Sequence, residues 1–291
     1  SWPPGVAARR RSLSSWGGHT SWSLRSLAGR GRHFQGSDER IGKLLEDVDA
    51  QAVDHALCTG DLTGVATEAE FDRVAGLFGP RLQQPAKYTV IPGNHDRYVR
   101  GAAGLFEQHF GNLSEAGRFP FLKHVTSEVS VVAIDVARPT SLIDSSGLCG
   151  PKQREALLGI LTDASLKSRF VVLAMHYGLL RAEGQRDARH HGLRDDLEVT
   201  ALIDRDDVSL DLVLHGHMHR PYVVKTKKRT IINAGSATDL HVKGCGYNVY
   251  EIDPGAHRVR ISRRTWNAGP GRYEAAPDSP LNRELFTQPT R

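Results

Sequence analysis

The chain is 291 residues long, enough to bury one sizeable core, and its 39% hydrophobic and 24% charged residues are ordinary globular usage. Its formal net charge is +5, but residues 1–36 hold six arginines and no acid, which leaves the remainder at −1. A near-neutral body gives no reason to expect a nucleic-acid partner, and the lack of an 18-residue apolar run excludes a membrane-spanning helix.

Residues 1–36 are rich in Ser, Arg, Gly and Trp, with no apolar run longer than Val6-Ala7-Ala8. Three readings fit: an organelle transit peptide, a disordered arm, or non-native sequence such as a wrong reading frame would give. The last is preferred, because a transit peptide would precede an intact first strand instead of replacing it. Nothing in this stretch reads as a central strand.

From Ser37 the pattern becomes regular. Ser37 is a candidate N-cap, and Ile41, Leu44, Leu45 and Val48 recur at helical spacing. Ala56 to Thr59 is a short apolar run ending at Gly60-Asp61, as suits a buried parallel strand. A helix over Glu68–Leu77 ends at Gly79-Pro80, and Tyr88 to Ile91 forms the next strand. Strands at Glu128–Val136, Phe170–Met175 and Leu210–Leu214 alternate with helices at Lys152–Leu161 and Leu197–Ile203, which predicts a layered α/β arrangement. After His219 the strands around Val223, Thr230–Ile232, Tyr247–Ile252 and Val259–Ile261 follow one another without helices. They predict a second, mostly antiparallel sheet packed on the first, giving a four-layer α-β-β-α sandwich of two mixed sheets. Arg258, Arg260, Arg263 and Arg264 are expected on a solvated edge strand. The domain is bounded at 37–265, and residues 266–291 read as a weakly ordered tail.

Polar clusters stand at the ends of these strands: Gly60-Asp61, Gly93-Asn94-His95-Asp96, His176, and His215-Gly216-His217-Met218-His219. Ligands at the carboxyl ends of neighbouring parallel strands point into one crevice. Asp and Asn oxygens with His nitrogens suit Mn²⁺, Fe²⁺ or Zn²⁺ better than Ca²⁺. Singly, Gly60-Asp61 is more often a turn and His176 more often a core histidine. Gly93 to Asp96 and Gly216 to His219 are more specific, the latter because residues two apart on an extended segment share a side. His215 is ambiguous and is assigned to packing or to a supporting role behind the ligands. Cys58, Cys149 and Cys245 show neither metal spacing nor an even disulfide set, so a reduced, cytoplasmic setting is expected.

Together these clusters resemble the calcineurin-like metallophosphoesterase superfamily, whose signature is Asp-x-His, Gly-Asp, Gly-Asn-His-Asp/Glu, His, and Gly-His-x-His. Four of the five motifs match, over roughly residues 37 to 252. The resemblance implies a metal-dependent phosphoester hydrolase with two divalent ions (Mn, Fe or Zn) and an attacking hydroxide between them. It implies that Asp61 bridges the ions, that Asn94, His176 and His217 complete the second, and that His219 binds the first. His95 would touch the phosphoryl or leaving oxygen, and Asp96 would orient His95 and keep it cationic. The first motif is missing: no Asp-x-His precedes Asp61. That leaves the first ion two ligands, with His33 and Asp38 the nearest substitutes, and it predicts preferential binding of the second ion with poor stability or little activity. Gly60 to Gly64, Gly93 to Arg97 and Asn233 to Ser236 are similar to small phosphodiesterases that include class III cyclic nucleotide enzymes, so a small diester is the expected substrate. The loop from Leu179 to Gly192, with Arg181, Arg186, Arg189, His190 and His191, is expected to border the site. The other readings are a catalytically impaired binding or scaffold protein and a DNA-processing nuclease.

Overall fold

A computed structural model describes residues 11–17, 36–98, 100–102, 104–140, 144–241 and 244–287. The chain builds two facing sheets with helices outside each. The first sheet has the order β12-β11-β10-β1-β2-β3, with β13 also paired to β11. Its strands are β1 (Arg11–Trp16), β2 (His55–Cys58), β3 (Tyr88–Val90), β10 (Gly246–Asp253), β11 (Arg258–Asn267), β12 (Arg272–Ala275) and β13 (Arg283–Phe286). The second has the order β4-β5-β6-β7-β9-β8: β4 (Phe121–His124), β5 (Val129–Ala133), β6 (Phe170–Ala174), β7 (Leu212–His215), β8 (Tyr222–Lys225) and β9 (Thr230–Asn233).

Three apolar layers hold this arrangement. Leu57, Ile91, Val131, Val172, Leu214 and Tyr250 fill the space between the sheets. Helices α1 (Ser37–Ala50), α2 (Glu68–Phe78) and α3 (Leu105–Phe110) cover the first sheet through Leu45, Val48, Phe71 and Phe106. Helices α4 (Pro151–Leu161) and α5 (Asp196–Ile203) cover the second through Leu157, Leu161, Val199 and Ile203. The α-β-β-α sandwich expected from the alternation is the observed fold. Thr67 caps α2 in a full capping box with Glu70, whereas α1 starts behind Gly36 at φ 71° and Ser37 makes no side-chain cap.

The two sheets do not divide at His219 as expected. Strands β8 and β9 extend the second sheet, and β10 to β13 return to the first, where β10 lies antiparallel to β1. Strand β1 itself is the larger departure, since it lies between β10 and β2, parallel to β2. The ladder needs only main-chain donors and acceptors, which serine supplies as well as valine. Leu13 reaches the inter-sheet core, Trp16 the helix side, and Ser15 Oγ lies 2.9 Å from the Tyr250 hydroxyl.

Strand β11 is not an edge either, being paired on both sides. Its arginines are engaged: Arg264 forms a bidentate pair with Asp47 at 2.6 and 2.7 Å, and Arg258 meets Asp253 at 3.0 Å. Arg263 is buried and donates to the Ala234 carbonyl at 2.5 Å and to Asn248 Oδ1 at 3.0 Å. Beyond it, β12 and β13 are regular strands, so residues 267–287 are not a loose tail.

Candidate metal centre

Strands β1, β2 and β3 of one sheet and β6, β7 and β9 of the other deliver their carboxyl ends to one cleft. Directly beyond them stand Gly17, Asp61, Asn94, His176, His217 and Ser236. A parallel bridge between Gly17 and Ser236 closes the floor where the sheets meet. Asp61 and His217 both have φ of 64°, a conformation that costs a non-glycine residue about 1–3 kcal/mol and persists only where its surroundings impose it. Gly93 is required by contact: a Cβ there would stand 2.2 Å from Asp61 Oδ1.

Each imidazole is fixed through one nitrogen. His176 Nδ1 donates to the Thr59 carbonyl at 2.7 Å, so Nε2 faces Asn94 Oδ1 at 3.0 Å and Asp61 Oδ2 at 3.3 Å. His217 Nε2 donates to the His191 carbonyl at 3.1 Å, turning Nδ1 toward Asn94 Oδ1 at 3.1 Å. His219 Nδ1 donates to Asp239 Oδ2 at 2.9 Å, and His95 Nδ1 to the Gly64 carbonyl at 2.7 Å. Anchoring one ring nitrogen to a carbonyl or carboxylate sets which nitrogen presents its lone pair, as metal-binding histidines require.

Ligand atoms of Asp61, His176 and His217 all lie within 4.8 Å of one another, and Asn94 Oδ1 touches both imidazoles. Four electron-pair donors turned on one point are satisfied by a cation, and the N and O set suits a borderline divalent ion. Burial presses His176 toward its neutral form, but Asp61 beside it and the Thr59 carbonyl raise it above its ordinary 6.5. Burial and the neighbouring His176 hold His217 far below that value, neutral and able to ligate.

The structure thus brings Asp61, Asn94, His176 and His217 together, with His219 on the wall of the same cavity. The first ion's ligands do not fit. Gly17 lines that cavity with Asp61 and His219, and it has no side-chain donor to offer. Asp38 is no substitute, because it sits in the first turn of α1 and pairs with Arg73 at 3.3 Å; His33 lies outside the described residues. Gly17 is silent in the sequence because glycine has no side chain to mark a ligand position. The trace of the missing motif is Gly17-Gly18-His19, at the end of β1, with His19 outside the described residues.

Asp96 does not orient His95. Its Oδ2 accepts the main-chain N–H groups of Asp61, Leu62 and Gly93 at 2.8–3.1 Å, and its Oδ1 those of the Thr63 N–H and hydroxyl at 2.8 and 3.0 Å. Burial and Asp61 push this carboxyl up to about 6 against the pull of those N–H groups. Asp96 therefore ties the β2 and β3 loops together, and the His95 ring rests on Gly64 and stacks on Tyr98 at 5.5 Å. His215 is a packing residue, buried against Gly178, where a Cβ would meet its ring at 2.5 Å. From the 179–192 loop, Arg181 and His191 reach the adjoining cleft with His217 and His219, while Arg186 is bound to Asp196 at 2.6 Å.

The family model of the calcineurin-like phosphoesterase superfamily domain matches residues 33–255, beginning after β1. No curated protein matches the chain. Among solved structures it is similar to a dimetal phosphatase from Danio rerio, with TM-score 0.66 and 12% identity over 91% of this chain and 98% of that one. It also resembles a purple acid phosphatase from yellow lupin, with TM-score 0.62 and 14% identity over 92% of this chain and 53% of that one. A third likeness is to GAP50, the anchor in the inner membrane complex of Plasmodium, with TM-score 0.60 and 10% identity over 97% and 90%. At these identities the likenesses carry the fold, and no described helix is long and apolar enough to cross a membrane. With more than half its length matched, the chain belongs to the calcineurin-like phosphoesterase superfamily.

Proposed function

We propose that this chain hydrolyses a small phosphoric diester of the cyclic-nucleotide type, using a divalent ion held by Asp61, Asn94, His176 and His217. The observation that carries the reading is the convergence of these four donors, each fixed by its own strand end. An ion there would supply positive charge to a phosphoryl oxygen and make water more acidic. His95, held through Nδ1, would meet the phosphoryl or leaving oxygen through Nε2 and can pass a proton there. Asp96 keeps Asp61 and Asn94 in place by clamping the two loops. Gly17 leaves the first ion with weaker anchorage, so the chain is expected to hold Mn²⁺ mainly at the one complete position and to turn over slowly. That same deficit favours a binding role as the second reading, should no hydrolysis occur.

The test compares bis(p-nitrophenyl) phosphate, p-nitrophenyl phosphate and a cyclic nucleotide, with metal content measured on the same samples. His176→Ala and His217→Ala are expected to lose bound Mn²⁺ and at least about 100-fold of the hydrolysis, with the diester preferred over the monoester. Unchanged metal content and rate in both variants would remove the proposed centre.

A further inference from the structure

We propose that Asp187, His191 and His217 form a second, peripheral divalent-cation site, and that filling it takes His217 away from the buried centre. Ligand atoms of these three residues lie within 4.8 Å of one another. The rings of His191 and His217 stand 4.4 Å apart at 43°, and Asp187 Oδ2 lies 2.6 Å from His191 Nδ1. Two imidazoles and a carboxylate are a three-ligand set of the kind zinc takes when its fourth position stays open. Here that position faces a cleft of about 550 Å³ lined also by Arg181, His219, Arg220 and Tyr222.

The loop holds the set in place without help from a metal. His191 N–H and Gly192 N–H both donate to the Ala188 carbonyl, at 2.8 and 2.7 Å, which closes the turn and brings residues 187 and 191 onto one side. A Cβ at Gly192 would stand 2.7 Å from Asp187 Cβ, so only glycine lets the chain pass there. Arg186 anchors the loop to α5 through Asp196, and the Gly192 carbonyl accepts Gly147 N–H at 3.1 Å. Asp187 Oδ1 takes the Ala188 N–H at 2.8 Å, which leaves Oδ2 to His191. An isolated ion pair between Asp187 and His191 would need none of this proximity to His217.

The two sites compete for one ring, so an ion at the loop weakens the buried centre without emptying it. A neutral imidazole has one nitrogen with a lone pair. In this structure His217 turns Nδ1 to Asn94 and gives its Nε2 proton to the His191 carbonyl. To ligate an ion beside His191 it must break one of these arrangements, and the buried centre then keeps Asp61, Asn94 and His176. Excess zinc is therefore expected to inhibit. The site itself stands on Asp187, His191 and His217; only the inhibition rests on the reading of the buried centre given above.

The experiment titrates zinc into chelator-treated full-length protein against a chromophoric chelator, for the wild type and for Asp187→Asn, His191→Ala and His176→Ala, with circular dichroism confirming the fold of each. Two classes of bound zinc are expected in the wild type. The weaker should be lost in Asp187→Asn and His191→Ala and kept in His176→Ala, which should lose the stronger. Zinc inhibition of diester hydrolysis should then need at least about tenfold more zinc in the two loop variants. If both loop variants keep two classes, the peripheral site is wrong while the buried centre stands. If His176→Ala removes no class, the buried centre is wrong.

Discussion

Asp96 receives five hydrogen bonds from donors in the two loops that carry Asp61 and Asn94, and each of its oxygens is an acceptor. In Asp96→Asn one of those acceptors becomes an NH₂ group facing main-chain N–H donors. The expected cost is about 1–3 kcal/mol of stability in urea unfolding and about 10–100-fold in Mn²⁺ affinity. A residue that only tuned His95 would lower turnover and leave both quantities alone. Gly17 permits the opposite experiment. A Cβ there would meet nothing nearer than the Gly235 carbonyl at 3.5 Å and the Thr59 hydroxyl at 3.7 Å, and its backbone is outside the left-handed region. Gly17→Asp should raise bound Mn²⁺ from about one to about two ions per chain and increase turnover at least about tenfold; an unchanged metal content would show that position 17 does not face the ion. At this scale the sequence was most legible where side chains are rare in their pattern. Asn94 and His217 announce themselves by what surrounds them, whereas Gly17 has no side chain to read and the anchoring carbonyls of Thr59, Gly64 and His191 belong to the main chain.

Strand β1 shows why element prediction fails where it does. Short continuous apolar runs reveal β2, β6 and β7 because their side chains fill apolar layers on both faces. In β1 the buried faces are taken by Leu13, Trp16 and two serines, and the strand is held by ladders to β2 and β10 that no composition reveals. The same limit explains the misplaced β8 to β11: the pattern marks strands but carries no record of which sheet they join. Ser14 makes the point testable. It is fully buried beside Ala56 of β2, and its hydroxyl has no hydrogen-bond partner among the described residues. A buried hydroxyl without a partner costs about 1–3 kcal/mol. Ser14→Ala is therefore expected to raise the urea midpoint by an amount worth about 1 kcal/mol or more, where a surface strand serine would give no gain. If the midpoint falls, Ser14 has a donor or acceptor and β1 is packed differently from the arrangement described here.

The molecule as a whole is held by the face-to-face packing of two sheets, and the site exists only while both deliver their strand ends to the same cleft. A charge forced into the first sheet should therefore be felt as global unfolding. His55 opens β2, is fully buried, and links that strand to its neighbour: Nδ1 donates to the Ala86 carbonyl and Nε2 accepts the Thr89 hydroxyl, both at 2.9 Å. Burial pushes its pKa down from 6.5 to about 4, with Lys123 acting in the same direction and the Ala86 carbonyl opposing. The unfolded chain therefore binds this proton near pH 6.5 while the folded chain refuses it until about pH 4. The stabilising contribution is complete above the unfolded value, is lost as pH falls between the two, and is absent below the folded one. A shift of this size corresponds to about 3 kcal/mol across that window. Urea unfolding of the wild type and of His55→Gln from pH 7 to pH 4 should show a smaller fall in stability for the variant by roughly that amount. Parallel curves for the two proteins would mean that His55 takes up its proton in the fold about as readily as in the unfolded chain, and that acid weakens the sandwich elsewhere.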